Sequence, residues 1–418
     1  MKGEIIALLA VGGLLAAAGC SSSSPSGGGG SGPGSANHLP GPSFVLGAIG
    51  SYSGAQSSSI GLVDDTSKVW AKWINDNGGI NGHPVKLIVK DDALDPGKAL
   101  QAAKELVEQD HVQAIVGEHS QIDNVWAKYV QDKGIPVIGG NPTQPSMFTY
   151  PNFFPTGAST PANLMALIVQ MKENNLKKLG MVYCAEAPVC ATLGTLATAL
   201  SAVVGDVSVA YTGKIAATQP SFTSECLAAK SAGADAFFTA DSAPLGPKVA
   251  SDCQKVGYNP HIVAETTTTS SLWTSAPSVD GALLTAPNAN YSDTSVPGIK
   301  DFHDAIEKYQ PDMLKSPQVG GNDLWAWAGG QLFATAAKNA HLTPSSTPAQ
   351  IMAAMYTVKD ETLNGISPPL TFTKGKPTNI TCYFTAKIND GKFESLNDGK
   401  PSCLSADLVA GLDKILGG

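Results

Sequence analysis

From Ser43 onward, short runs of apolar residues alternate with longer stretches whose apolar positions recur every three or four residues, the rhythm of a parallel sheet flanked by helices. Residues 44–49 predict a buried strand, and 66–77 a helix with Val69, Trp70, Trp73 and Ile74 on one face. Strands at 85–89, 112–117 and 135–139 follow, separated by helices at 97–109 and 125–133. Because β-α-β units of this kind wind right-handed almost without exception, one open, doubly wound sheet is expected. The rhythm then restarts. Helices at 163–172, after Pro188, at 224–231 and at 245–256 alternate with strands at 179–183, 207–211, 236–239 and 261–264, which predicts a second sheet and hence a second lobe. An apolar run at 282–285 and helices at 299–309 and 323–339 come next; the end of the chain, with 370–372, 382–388 and 392–394, reads as strands and turns.

The segment ahead of this pattern bears on where the chain works. Lys2 precedes an apolar run, 5–18, that is shorter than the ~20 residues a spanning helix needs and ends in small residues, so 1–19 is expected to be a cleaved signal. Cys20, directly after Ala17-Ala18-Gly19, resembles the lipobox cysteine of bacterial lipoproteins, which implies acylation and attachment to the outer face of the cell membrane by lipid alone. An ordinary signal with an incidental cysteine is the alternative. Residues 20–43, mostly Ser, Gly and Pro, predict a disordered tether. What remains is longer than the ~250–300 residues one core supports, in keeping with two domains.

A net charge of -8 without any basic block argues against nucleic acid as a partner. Every basic side chain is lysine or histidine; arginine is absent, so an anionic ligand group would have to be held by hydroxyls, backbone N–H groups or lysine rather than by a bidentate guanidinium. Beyond Cys20 the cysteines are Cys184, Cys190, Cys226, Cys253, Cys382 and Cys403, an even number in an exported chain, and disulfides are the leading reading. Their order favours 184–190, 226–253 and 382–403, although six cysteines permit fifteen pairings.

Gly78-Gly79-Ile80-Asn81-Gly82-His83-Pro84-Val85, followed by Asp91-Asp92-Ala93-Leu94-Asp95-Pro96, resembles the branched-chain amino-acid-binding family of type I periplasmic binding proteins, with Ser53-Gly54, Val116-Gly117 and Gly134-Ile135-Pro136 adding to the match. The resemblance covers about residues 44–393 and implies two Rossmann-like, doubly wound lobes joined by a three-stranded hinge, with a ligand in the cleft between them. Crossings are expected near Ser159, Pro287 and Gly365, making 44–159 with 288–364 one lobe and 160–287 with 365–410 the other. Carried over residue by residue, the family's carboxylate-holding turn falls on Ser120 and Gln121, although Ser120 can equally cap a helix. Its next ligand loop falls on Asn141 and Thr143, behind Gly139 and Gly140, which permit close backbone approach to a ligand or simply suit a tight turn. In the second lobe Ser242 stands where relatives often carry an aromatic wall, and Glu265 where amino-acid binders set an acid against the ammonium, the alternative being a solvated loop charge. The loop Cys184 to Cys190 replaces another ligand-facing loop with what is expected to be a small disulfide ring.

An enzyme would need a constellation that the chain lacks in sequence: there is no G-x-S-x-G, H-E-x-x-H or phosphate loop, and the histidines show no metal-ligand spacing. Glu118-His119 is the one pair beside the expected cleft, read as a surface histidine next to a binding loop. Trp126, Tyr129, Trp325 and Trp327 line either a pocket or, as aromatics at helical spacing usually do, the core. The sequence therefore points to a monomeric solute-binding component of an ABC importer, working with a permease and without cofactor or metal. A ligand-sensing lipoprotein acting through a partner is the alternative, and a small polar-headed solute with an apolar body is the expected ligand.

Overall fold

The computed structural model describes residues 39–54, 60, 62–186 and 188–417. The signal segment, Cys20 and the tether up to residue 38 lie outside the described residues.

The first half of the chain builds β1 (Phe44–Gly50), α1 (Val63–Asp76), β2 (Val85–Asp91), α2 (Pro96–Glu108), β3 (Ala114–Glu118), α3 (Ala127–Asp132), β4 (Val137–Gly140), α4 (Ser146–Thr149) and β5 (Phe153–Phe154). Its strands form a five-stranded parallel sheet in the order β2-β1-β3-β4-β5. β1 and β3 are buried almost throughout, as strands covered on both faces must be. Asp95 caps α2 by accepting from the Lys98 N–H at 2.9 Å, with Pro96 at the first helical position, where a missing N–H costs nothing.

The second half begins with α5 (Thr160–Glu173), β6 (Lys178–Cys184), α6 (Leu193–Val204), β7 (Ser208–Ile215), α7 (Thr223–Ser231), β8 (Ala236–Ala240), α8 (Leu245–Lys255), β9 (His261–Glu265) and β10 (Leu283–Ala286). The chain then returns to the first sheet with α9 (Pro297–Tyr309), α10 (Gly321–Asn339) and α11 (Pro348–Met355). It ends in β11 (Cys382–Asn389), β12 (Lys392–Ser395), β13 (Ser402–Cys403) and α12 (Ala406–Leu416). The second sheet has eight strands, β7-β6-β8-β9-β10-β11-β12 in order with β13 against β11; β6 to β10 run parallel, and β11 is antiparallel to both β10 and β12. This is a mixed α/β fold of two lobes.

The returning helices explain why the first sheet needs distant sequence. One of its faces is covered by α2 and α3 through Ile49, Leu106, Trp126 and Val130. The other is covered by α1, α9 and α10, with Trp70, Phe302, Trp327 and Phe333 packed on Phe44, Leu46 and Ile138. Helix α10 lies so close to β3 that a Cβ on Gly329 would sit 2.7 Å from the Gly117 nitrogen, a distance no side chain tolerates. Trp126, Trp325 and Trp327 are all buried: Trp327 packs on Trp73 and Phe302, Trp126 on Phe153, and Trp325 on His119. Their role is core.

Three expectations need correction. The third crossing falls later than Gly365, because Ile366, Leu370, Phe372 and Ile380 stay in the apolar cluster of the first sheet. Residues 370–372 do not form a strand; Leu370 makes only an isolated antiparallel bridge to Glu361. The strands expected at 382–388 and 392–394 form as β11 and β12, but the chain then ends in a helix that the sequence reading did not include: the Ser405 hydroxyl caps α12, whose Leu412 is buried against the second core. Where the segments pass between the sheets they bind one another, with Ala158 N–H donating to Pro287 O, Ser159 N–H to Ile380 O (both 3.2 Å) and the Ser159 hydroxyl to Asn379 Oδ1 at 2.6 Å.

Candidate functional site

Residues at or just past the carboxyl ends of parallel strands from both sheets enclose a cavity of about 120 Å³. From the first sheet come Gln121 beyond β3, and Asn141 and Thr143 beyond β4; from the second come Cys184 ending β6, Asp241 and Ser242 beyond β8, and Glu265 ending β9 with Thr267 and Thr268 after it. Thr160 and Leu164 add the first turn of α5, and Ile60, Leu193 and Phe238 add apolar surface. Sites of open α/β sheets belong at this end, where strands stop and helices begin.

Five of the six residues named from sequence thus meet around one cavity: Gln121, Asn141, Thr143, Ser242 and Glu265. Ser120 does not line it. Its side chain is fully buried, its N–H donates to Glu118 Oε1, and its hydroxyl accepts from the Ile122 N–H at 3.4 Å, so the residue stabilises the turn behind the wall. The glycine pair also plays another part than expected. At Gly139 (φ +64°) a Cβ would strike Gly329 of α10, and at Gly140 (φ +137°) it would strike the Glu118 carbonyl. Close approach is required here, but to the protein's own backbone.

His119 is not a surface residue. It is fully buried, stacked on Trp325 at 5.8 Å, with Nδ1 3.1 Å from Gly117 O, and burial pushes its pKa down to about 4, so the ring is neutral. Glu118 is equally buried, its carboxyl pushed well up by burial and by nearby Asp123. Neither side chain faces the cavity.

On the first-sheet side the polar groups are amides and hydroxyls. Asn141 Oδ1 accepts from the Thr143 N–H at 2.9 Å and its hydroxyl at 2.7 Å, and Gln121 Oε1 accepts from Gln144 Nε2 at 3.2 Å. With their oxygens engaged, both residues keep amide N–H groups to donate.

The second-sheet side is acidic. Glu265 is only 4% exposed; Oε2 accepts from the Thr267 hydroxyl at 3.3 Å, Oε1 makes no hydrogen bond among the described residues, and the buried Asn163 side chain nearby favours the charged carboxylate. Burial pushes its pKa up to about 8, so a solvated loop charge it is not. Asp241 went unremarked in the sequence. It is 9% exposed, and burial pushes its pKa up to about 6 although the Ser242 N–H donates to Oδ1 at 2.6 Å. Thr160, Leu164 and Asn322 are likewise contributed by segments with no local motif to mark them.

Disulfides join Cys184 to Cys190, Cys226 to Cys253 and Cys382 to Cys403. The first closes a ring of short sequence separation, 6 residues, whose two cysteines both line the cavity. The second is buried among α7 and α8, and the third ties β11 to β13.

Two α/β lobes with a polar cavity at the carboxyl ends of both sheets define a bilobal binding protein. The chain belongs to the periplasmic binding protein family, whose sequence profile matches residues 43–392. That family works outside the cytoplasm and binds substrates rather than transforming them. An amino acid binding protein of Pseudomonas aeruginosa is 36% identical over 104 residues, 25% of this chain and 28% of that relative. The chain thus matches little more than a quarter of that relative's length. Among solved structures, a branched chain amino acid ABC transporter protein of Thermus thermophilus with bound valine superposes with a TM-score of 0.76 at 16% identity, covering 90% of this chain and 99% of that one. A fatty acid ABC transporter substrate-binding protein of Thermomonospora curvata gives 0.73 at 16% identity, covering 88% and 94%. These likenesses establish the fold.

Proposed function

We propose that this protein is the substrate-binding component of an ABC importer, capturing a small amine-bearing solute between its lobes and delivering it to a permease. One observation carries the reading: a buried carboxylate, Glu265, presents an oxygen without a partner among the described residues to a cavity between two sheets. An ammonium group would supply the missing partner and favour the charged carboxylate. Gln121, Asn141, Thr143 and Ser242 would hold the remaining polar groups of the solute, Gln121 and Asn141 by donating amide N–H bonds to a carboxylate or carbonyl. Ser120 acts from behind.

The rest of the reading follows from the sequence. Cys20 carries lipid and tethers a monomer to the outer face of the membrane, 1–19 having been removed. The lobes are 44–159 with 288 to about 380, and 160–287 with the strands and helix that end the chain, and no catalysis, metal or cofactor is involved.

Thermal unfolding in the presence of single amino acids, amides and small organic acids tests this. A ligand at about a hundred times its Kd stabilises a protein by ~2.7 kcal/mol. Amines should raise the melting temperature of the wild type and lose at least tenfold in affinity for Glu265→Gln. An unchanged shift in that variant would reject the ammonium role, and no stabilisation by any compound would reject solute capture.

A further inference from the structure

Glu265 is not the only acid in the cavity wall. Asp241 lies directly past the end of β8, whose parallel pairing with β9 joins Ala236 to His261 and Phe237 to Ile262, and Glu265 ends β9. Asp241 and Glu265 thus stand at the ends of adjacent strands of one sheet, and both line the same cavity. Each is at least nine-tenths buried, and each has one engaged oxygen and one without a partner among the described residues: Asp241 Oδ2 and Glu265 Oε1.

Nothing basic offsets them. The described residues lining the cavity include no lysine or histidine, and arginine is absent from the chain. The undescribed stretch 55–59, with 61 and 187, carries no basic side chain in sequence either. Glu186, whose carboxylate accepts from the Ala185 and Ala217 N–H groups, adds its negative charge to the surroundings of Asp241. Two buried acids without a counter-charge cost stability unless something brings positive charge to them. Two acids in one wall offer acceptors for two cationic groups, while the amide N–H groups of Gln121 and Asn141 across the cavity call for an acceptor.

We propose that Asp241 is a second cation-recognising residue and that the site takes a basic amino acid: two cationic nitrogens, one on Glu265 and one on Asp241, and a carboxylate held by Gln121 and Asn141. This rests on the solute-binding reading above and narrows it. Solutes with an anionic head and an apolar tail bring no positive charge to either acid and are disfavoured against a basic amino acid.

Titration calorimetry on the purified chain decides it, with L-ornithine, L-leucine, putrescine and octanoate as probes and Asp241→Asn, Asp241→Ser and Glu265→Gln as variants. The wild type should bind ornithine at least tenfold more tightly than leucine, bind putrescine more weakly than ornithine for want of the carboxylate, and ignore octanoate. Either Asp241 variant should weaken ornithine at least tenfold and so erase the preference, a cooperative thermal unfolding transition showing that it is folded, whereas Glu265→Gln should weaken both amino acids. Leucine equal to or tighter than ornithine in the wild type, octanoate binding, or a preference that survives both Asp241 variants would overturn the proposal and leave solute capture standing. If none of the four probes and no other amine binds the wild type, both readings fall together.

Discussion

At the scale of single residues, the charge state of Glu265 governs the site. Burial pushes its carboxyl from an ordinary 4.5 up to about 8, outweighing the Thr267 hydroxyl and the Asn163 side chain, which favour the anion. Between those values the folded protein holds a proton that the unfolded chain has released, so the empty protein loses stability as pH rises through the window. Glu265→Gln should flatten that slope in urea melts taken at pH 5 and pH 8. An ammonium ligand reverses the preference by stabilising the anion. Affinity should therefore rise by about tenfold per pH unit up to about pH 8, with proton release detectable as a buffer-dependent binding enthalpy at pH 7. Affinity independent of pH would contradict the pairing.

The same scale shows what a sequence reader can reach. Gln121, Asn141, Thr143, Ser242 and Glu265 each follow a recognisable apolar strand, and the ends of such strands are where a doubly wound sheet puts its site. Ser120 misleads by one position, because the turn after β3 spends that side chain on its own backbone and turns the next one outward. Asp241 sits beside Ser242 in the same loop, yet only the fold buries its carboxylate in a wall that holds no basic side chain among the described residues. Thr160 and Asn322 reach the cavity from segments that strand patterns do not connect to it.

At the scale of elements, long apolar strands and amphipathic helices are legible because burial on two faces or on one leaves a period in the sequence. Short pieces are not. β5 is two residues, and α4 only four, too few to show a period at all. α12 runs Ala-Asp-Leu-Val-Ala-Gly-Leu with one buried leucine, a weak signal that its Ser405 cap only completes once the fold is known. The Cys184–Cys190 ring is an element whose effect can be isolated, since both cysteines line the cavity and form a small cluster of their own apart from the main core of the lobe. Replacing both cysteines by serine should lower stability by ~2 kcal/mol in denaturant melts and weaken solute binding further by loosening the rim. Unchanged affinity would assign the ring to stability alone.

At the scale of the whole molecule, the arrangement follows from one constraint: the first sheet has two faces to bury, and α9 and α10 must come back from beyond the second sheet to cover one of them. That return forces multiple crossings, and the crossings bind one another through Ser159, Asn379 and Pro287, leaving the strand ends of the two sheets to meet over the cavity. The position of the third crossing escapes a sequence reader because residues 366–380 are a connection without period, held to the first core by four scattered apolar side chains. Capture between the lobes depends on this geometry, and a crystal structure grown with a solute that raises the melting temperature reads it out directly. The solute should lie against Glu265 of the second sheet and Asn141 of the first, each within hydrogen-bond distance. A solute bound elsewhere, for example in the apolar groove beside Leu196 and Leu416, with Glu265 untouched, would contradict it.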